Sequence, residues 1–413
     1  MHCGGKKDKL VMQMSVSNKN NINYSFFYEN ILYFFIIVLA AQSANFLESR
    51  NFLIISFFYS LILFVLKKNS IDKPIIFIIV LWILINFISF VCFDNIARVS
   101  SITFLSLTSK LLMPYFIIKV LKQRFIIKIE NIIFYLTLIS LPIFLFQLYN
   151  TDFFYEISSS LNRFTIEEQK EIGGWYIGFY MFNGWAIERN SGFMWEPGAF
   201  AFIVFLAILI RLSINNFKFD FRIFVYSLAI ISTFSTMGYI VLFILILAYL
   251  VNIKNYISFF FIPIIFVVSL ETIANLDFMK PKIEEYYENI DFMIDDDNYI
   301  KMNRFGILTF VSEESFKWPI GYGVFYNTPA IKKYNKPVLG ANTYSDILLR
   351  WGWLGIIIFI FASIKFIKVF FPNVNILTKN LLIIAFLVSV FSNNLLSNPL
   401  FLILLYYPYI HKF

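Results

Sequence analysis

Apolar stretches of about 15 to 20 residues recur along nearly the whole chain, the length an α-helix needs to cross roughly 30 Å of hydrocarbon. Lipid offers no hydrogen bonds, so backbone of this kind is satisfied only as helix or closed barrel. Composition removes the soluble alternative: of 413 residues, 59% are hydrophobic, 20% aromatic and only 15% charged, against roughly a quarter charged in a soluble domain. The expected fold class is all-α, a polytopic integral membrane protein.

The apolar runs and their punctuation place spans near 28–45, 51–66, 74–93, 101–121, 131–149, 192–211, 219–235, 237–252, 256–272, 352–369, 378–392 and 397–411. That gives about twelve transmembrane helices; the tight pair around Thr236 to Gly238 also reads as one broken helix, which gives eleven. The run 101–121 is the least regular, because it carries Lys110 and Pro114. Basic residues alternate with the spans. Lys67, Lys68, Lys73, Lys119, Lys122, Arg124, Arg211, Lys218, Lys365 and Lys379 fall on one side, while the short loops opposite carry only Arg50 and Arg98. By the positive-inside rule both termini are cytoplasmic, and the formal charge of +8 is mostly an insertion signal rather than a mark of nucleic-acid binding. The implied organisation is a cytoplasmic segment 1–27, helices one to five within 28–149, a large outer loop 150–191, helices six to nine within 192–272, a second large outer loop 273–351, and helices ten to twelve with a short cytoplasmic end within 352–413. No cleavable signal peptide is expected ahead of the first span. Two cysteines, Cys3 and Cys92, make neither a disulfide framework nor a thiolate metal site.

Nearly all remaining polar chemistry sits in the two outer loops. Residues 189–212, RNSGFMWEPGAFAFIVFLAILIRL, place Arg189 just before a span, Trp195 at interface depth and Glu196–Pro197 just inside. A carboxylate at that depth is expensive unless it faces a cavity or a cation; the plainer role is to cap or pair at the helix entrance beside Pro197. Arg189 likewise reads either as a functional cation or as an interfacial anchor. In residues 303–325, Arg304 opens a helical pattern, and its guanidinium fork suits the oxygens of a diphosphate. Further on, Asn342, Tyr344 and Asp346 lead into the tenth span. Asn342 also reads as an N-cap, and Asp346 as the i, i+4 partner of Arg350 or as an acid/base group. The segment 283–298, IEEYYENIDFMIDDDN, has the spacing of an interfacial amphipathic helix. Its run Asp295–Asp297 is read as a solvated face, and with both histidines at the chain ends no metal site is expected. No Gly-Lys-Thr phosphate loop is present, so nucleotide hydrolysis does not drive the protein.

SGFMWEPGAF opening a span after a large loop, TFSTMGYI in the next helical pair, NRFG, then GYGVF and GANTYSDILLRWGWLG around the second loop together resemble the O-antigen polymerase and ligase superfamily, most nearly the Wzy-type polysaccharide repeat-unit polymerases. The resemblance implies a GT-C-like membrane glycosyltransferase in the bacterial inner membrane. It implies donor and acceptor glycans on undecaprenyl diphosphate, no cofactor, and a chain-length regulator and a flippase as partners. By position, Arg189 and Arg304 match the arginines that contact diphosphate in the family, with Glu196 and Asp346 as the accompanying acidic candidates. Arg163, eleven residues before Gly174, fits the Arg-x10-Gly pattern of some polymerases. Asn342, Tyr344, Trp195 and Tyr322 are candidate substrate contacts, with Trp175, Tyr176 and Trp185 as further aromatic surfaces for sugars. Ligases carry His-Asn where this chain has Ala341-Asn342, which favours polymerase. The rival from another class is a lipid-linked oligosaccharide flippase, which would keep outer loops short and polar residues at the midplane.

Overall fold

The computed structural model describes residues 22–41, 49–160, 174–177, 179–184, 187–253, 293–295, 299–338, 342–396 and 398–410. The span expected near 256–272, Arg163, Trp185, Ala341 and most of the segment 283–298 lie outside the described residues. The chain is mostly helical: α1 (Ile22–Ala41), α2 (Ser49–Leu66), α3 (Lys73–Phe93), α4 (Ser101–Leu121), α5 (Arg124–Tyr149), α6 (Thr151–Ser160), α7 (Pro197–Ile214), α8 (Phe221–Ser232), α9 (Thr236–Asn252), α10 (Arg304–Lys317), α11 (Thr328–Tyr334), α12 (Thr343–Phe370), α13 (Ile376–Ser389) and α14 (Pro399–Ile410). Among the described residues, α3, α4, α5, α7 and α12 are each long and apolar enough to cross a membrane.

Local sequence explains where these helices begin. Ser100, Asp220, Ser235, Asn303, Asn342 and Asn375 each stand at an N-cap and accept a backbone N–H of the first turn, satisfying donors that a helix start leaves orphaned. Pro74 and Pro197 sit in the first turns of α3 and α7, where a missing N–H costs nothing. Lys110 and Pro114 do not interrupt α4, which runs unbroken past both.

Several expectations need correction. Helix α7 begins at Pro197 rather than near 192, because residues 191–196 are held in turns. The pair around Thr236 is two helices joined by the turn Thr233–Ser235, as the separate runs 219–235 and 237–252 had it, and not the alternative single broken helix. With 12 residues, α8 reaches only about 18 Å and is too short to cross a bilayer alone. Helix α12 starts at Thr343, so 343–351, expected in the outer loop, is helical up to a kink at Gly352. The helical architecture agrees with the all-α expectation, and two short hairpins accompany it: β1 (Gly174–Ile177) pairs antiparallel with β2 (Tyr180–Asn183), and β3 (Met293–Asp295) with β4 (Ile300–Met302). Thus the end of the segment expected to be an amphipathic helix is a strand, its backbone groups taken by the facing residues 300–302.

Helix α7 forms the centre of the bundle. It is apolar on every side and buried from Pro197 through Ile210, packed by α5, α8 and α9. Helices α2 and α14 flank α4, and α13 lies along α9. The outward faces invert the pattern of a soluble protein: α3 alone exposes Ile76, Phe77, Val80, Ile83, Phe87 and Val91, a surface suited to hydrocarbon rather than water. Connections alternate between two ends of the bundle. The turns at 94–100, 187–196, 233–235 and 390–396 lie at the end that carries α10 and the hairpins, called here the loop face.

At the opposite end, Asp220 joins α7 to α8. Its carboxylate accepts from Ile223 N at 3.2 Å, from Arg211 Nε at 2.7 Å and from Asn215. Burial works to raise its pKa, but these bonds outweigh it and hold the carboxyl below the usual carboxylate value. A lowered folded-state pKa means the contribution is full above the unfolded value, near 3.9, and fades as pH falls through the folded one. Asp220→Ala is expected to cost about 1–2 kcal/mol at neutral pH. Thermal unfolding in detergent should show the gap to the parent protein closing below about pH 4.

Candidate functional site

The loop 187–196 is fixed before it reaches α7. Asn190 N donates to Ser232 O at 2.9 Å, Asn190 Nδ2 to Ser232 Oγ at 3.0 Å, and Arg189 Nε to Thr233 O at 3.1 Å. These partners are at the C-terminal end of α8, where unpaired carbonyls and the helix dipole favour a cation. On the other side, Met181 N of β2 donates to Gly192 O at 2.6 Å. Gly192 has φ +52, and a Cβ there would lie 2.4 Å from the Phe200 ring, so a side chain would not fit. Arg189 is therefore set in a rigid frame rather than free to follow headgroups.

Glu196 follows in the same frame. It occupies the N-cap of α7 in extended conformation but makes no side-chain cap bond, so the capping role is not the one it plays. Its charge instead acts on Arg189. Burial is the largest influence lowering the Arg189 pKa; Glu196 opposes it, Arg304 adds to the lowering, and Tyr239 opposes it again. Arg189, Glu196, Arg304 and the phenol of Tyr239 thus share one electrostatic neighbourhood, although they come from the 187–196 loop, α10 and α9.

Arg304 is placed by two asparagines. Asn303 Oδ1 accepts from Gly306 N at 2.6 Å and starts α10. Asn342 does double duty: its Oδ1 accepts from Ser345 N at 2.8 Å, capping α12, while its Nδ2 donates to Arg304 O at 3.1 Å. The first turns of α10 and α12 are thereby tied together, and Asn342 is fully buried. Among the described residues the Arg304 guanidinium has no carboxylate within ion-pair distance.

The remaining sequence candidates separate from this group. Asp346 lies one turn further along α12, buried, and bonded to Arg350 Nε at 2.7 Å; its i, i+4 reading holds. The Tyr344 hydroxyl donates to Leu387 O at 2.6 Å, directing it toward α13. Tyr322 is buried between Phe93 and Trp318, with ring centroids 5.2 and 6.2 Å away. Trp195 is half-buried, and its carbonyl accepts from Asn183 Nδ2 at 3.4 Å.

One residue was missed. Asn393, in the turn between α13 and α14, is 2% exposed, yet neither Nδ2 nor Oδ1 has a partner. Its carboxamide lies over Gly198 in the first turn of α7: a Cβ on Gly198 would sit 3.4 Å from Asn393 Nδ2 and 3.8 Å from Ser235 Oγ. The same turn is tied to the start of α12, where Thr343 Oγ1 donates to Asn393 O at 2.6 Å and accepts from Leu395 N at 2.9 Å. A buried carboxamide with no partner costs about 1–3 kcal/mol, so it marks a place where a polar group is held ready. The signal in the sequence was the cluster Ser392-Asn393-Asn394 between two apolar runs.

Chemically, two guanidiniums and one carboxylate beside a helix N-terminus leave net positive charge in a half-buried setting, suited to a multiply charged oxyanion. Compared with known proteins, no family model matches the chain, and neither a curated protein nor a solved structure matches it.

Proposed function

We propose that this membrane protein is a glycosyltransferase that joins lipid-diphosphate-linked oligosaccharide repeat units into a polysaccharide at the outer side of a bacterial inner membrane, as Wzy-type polymerases do. The convergence of Arg189, Glu196 and Arg304 carries this reading. It brings the two arginines singled out by the resemblance into one electrostatic neighbourhood, from parts of the chain more than a hundred residues apart.

In this mechanism the donor is already activated. A hydroxyl of the acceptor sugar attacks the donor's anomeric carbon, the bond from that carbon to the diphosphate oxygen breaks, and the diphosphate leaves with the electron pair. Arg189 and Arg304 stabilise the negative charge that gathers on the departing oxygens. Glu196, acting on Arg189 and placed at the mouth of α7, positions the cationic pair and takes up the hydroxyl proton. Asn342 serves as a positioning residue through the Arg304 backbone. Asp346, bound to Arg350, is assigned to holding α12 rather than to activating the acceptor, and the undecaprenyl chain lies in the surrounding bilayer. A chain-length regulator and a flippase are the partners such a reaction requires.

The test is the product of a strain lacking the gene. The expected result is surface glycan carrying single repeat units, with long chains restored by the intact gene. A glycan core with no repeat unit, the outcome for a ligase, or repeat units trapped inside the cell, the outcome for a flippase, would overturn the proposal.

A further inference from the structure

Away from the Arg189–Arg304 pair, an almost wholly apolar cleft of about 300 Å³ lies between α3, α4, α12 and α14. Toward the loop face Trp351 lines it, and that ring meets Trp82 of α3 at 4.8 Å between centroids, which joins α3 to α12 at this level. Further from the loop face Phe77 of α3 and Phe361 of α12 line the cleft, and both are exposed. It therefore opens sideways onto the bilayer. Along α12 it runs from Ile347 to Ala362, a rise of about 22 Å, more than the roughly 15 Å of one leaflet's hydrocarbon. That length admits one extended acyl chain.

The end of the cleft opposite the loop face carries charge of both signs. Asp72, at the N-cap of α3, is the one charged residue among those lining it. Its Oδ2 accepts from the Tyr115 hydroxyl at 3.0 Å and from Lys119 Nζ at 3.0 Å. Among the described residues its Oδ1 accepts no hydrogen bond, and the side chain is partly exposed. On α12, Lys365 follows Ala362 by one turn and lies over the ring of Tyr409, which also lines the cleft, 3.5 Å from the centroid. Among the described residues Lys365 has no carboxylate partner. Asp72 starts α3, Lys119 is in the last turn of α4 and Tyr409 in the last turn of α14, so this polar end lies where helices leave the hydrocarbon and headgroups begin. The matching occupant carries an apolar chain for the cleft, N–H donors for Asp72 and a negative group for Lys365.

We propose that this cleft binds phosphatidylethanolamine, its ammonium donating to Asp72 Oδ1, its phosphate facing Lys365 Nζ and one acyl chain lying along α12. The second chain stays in the bilayer beyond Phe77 and Phe361. A choline headgroup has no N–H to give Asp72, and a headgroup whose only charge is negative sets that charge against the carboxylate. The seated chain fills the gap between α3 and α12, the two helices that hold the 318–326 segment through Asn86 Oδ1 and Leu349 O. This site is separate from the arginine pair and takes its lipid whatever reaction the loop face performs.

The experiment uses the full-length protein, delipidated in neutral detergent, with phosphatidylethanolamine, phosphatidylcholine or phosphatidylglycerol of identical acyl chains added. Bound lipid is read by native mass spectrometry and stability by thermal unfolding. Phosphatidylethanolamine should bind about tenfold more tightly than either of the others, the scale of one charge-assisted hydrogen bond, and should raise the unfolding midpoint most. Asp72→Asn keeps the shape of the side chain and a favoured N-cap residue, so it should fold. It should abolish that preference and, with Lys119 and Lys365 left uncompensated, turn selection toward phosphatidylglycerol. Ala362→Phe places a ring in the cleft and should cut retention of all three lipids with Asp72 intact. Equal binding of the three lipids by the parent protein, an undiminished preference for phosphatidylethanolamine in Asp72→Asn, or unchanged retention in Ala362→Phe would each overturn the proposal.

Discussion

Arg304→Ala is expected to lower formation of long-chain glycan about 100-fold or more, the scale set by removing one preorganised donor from a developing oxyanion, while the protein inserts and unfolds as the parent does. The structural neutrality follows from how Arg304 is held. Asn342 grips its carbonyl rather than its side chain, and Asn303 caps the helix one residue earlier, so truncation leaves α10 anchored. Arg304→Lys should recover only part of the activity, because an ammonium keeps the charge but not the two-pronged geometry. Arg189→Ala should also abolish long chains, but with a structural component, since Arg189 Nε bonds Thr233 O. Chain length on a gel, with membrane-fraction levels and the thermal midpoint measured beside it, separates the two effects. Full-length polymer from Arg304→Ala would remove that residue from the site.

That contrast also shows what the sequence could and could not disclose. The apolar runs fall on eleven described helices, because lipid exposure demands uninterrupted apolar faces, but α5 begins seven residues and α12 nine before the expected position. Helix ends were less legible. The start of α12 lies nine residues before the expected span, although Asn342 reads as an N-cap and Asp346 as the partner of Arg350, because the apolar run sets the expected span and these polar residues interrupt it. The hairpin strands escaped because four residues such as Gly174–Ile177 are too few to show a period. Arg189, Glu196 and Arg304 could be singled out one by one, since charge at a membrane entrance is conspicuous. Their convergence could not, because it depends on how the 187–196 loop and the start of α10 are placed in the folded chain. Asn393 was hidden for a related reason: an asparagine in a turn ordinarily serves the turn, and only burial without partners distinguishes it.

The largest expected loss of stability comes from Gly352→Ala. Between α10 and α11 the chain from Trp318 to Tyr326 leaves regular helix and packs against α3 and α12, a course tolerated at membrane depth only where protein satisfies the backbone. The kink in α12 supplies that satisfaction. It frees Leu349 O to accept from Tyr322 N at 2.6 Å, and Trp353 N donates to Pro319 O at 3.1 Å. Val324 N is taken by Asn86 Oδ1 of α3 at 2.8 Å. Gly352 makes the kink with φ +63 and ψ −159, a region essentially closed to residues with a Cβ. A Cβ there would also lie 1.9 Å from Pro319 O, and that obstacle is backbone, so it cannot swing aside. Strain of about 1–3 kcal/mol, together with two weakened backbone bonds at about 1 kcal/mol each, predicts a destabilisation of roughly 3–5 kcal/mol. Leu354→Ala, two residues on at a position 38% exposed, should cost far less and serves as the control for thermal unfolding in detergent. Because the 318–326 segment is held from the kink, Gly352→Ala should also increase protease cleavage there at temperatures where the rest of the bundle is folded. A midpoint within a degree of the Leu354→Ala variant, with the segment still protected, would mean that α12 can straighten without releasing the loop it now holds.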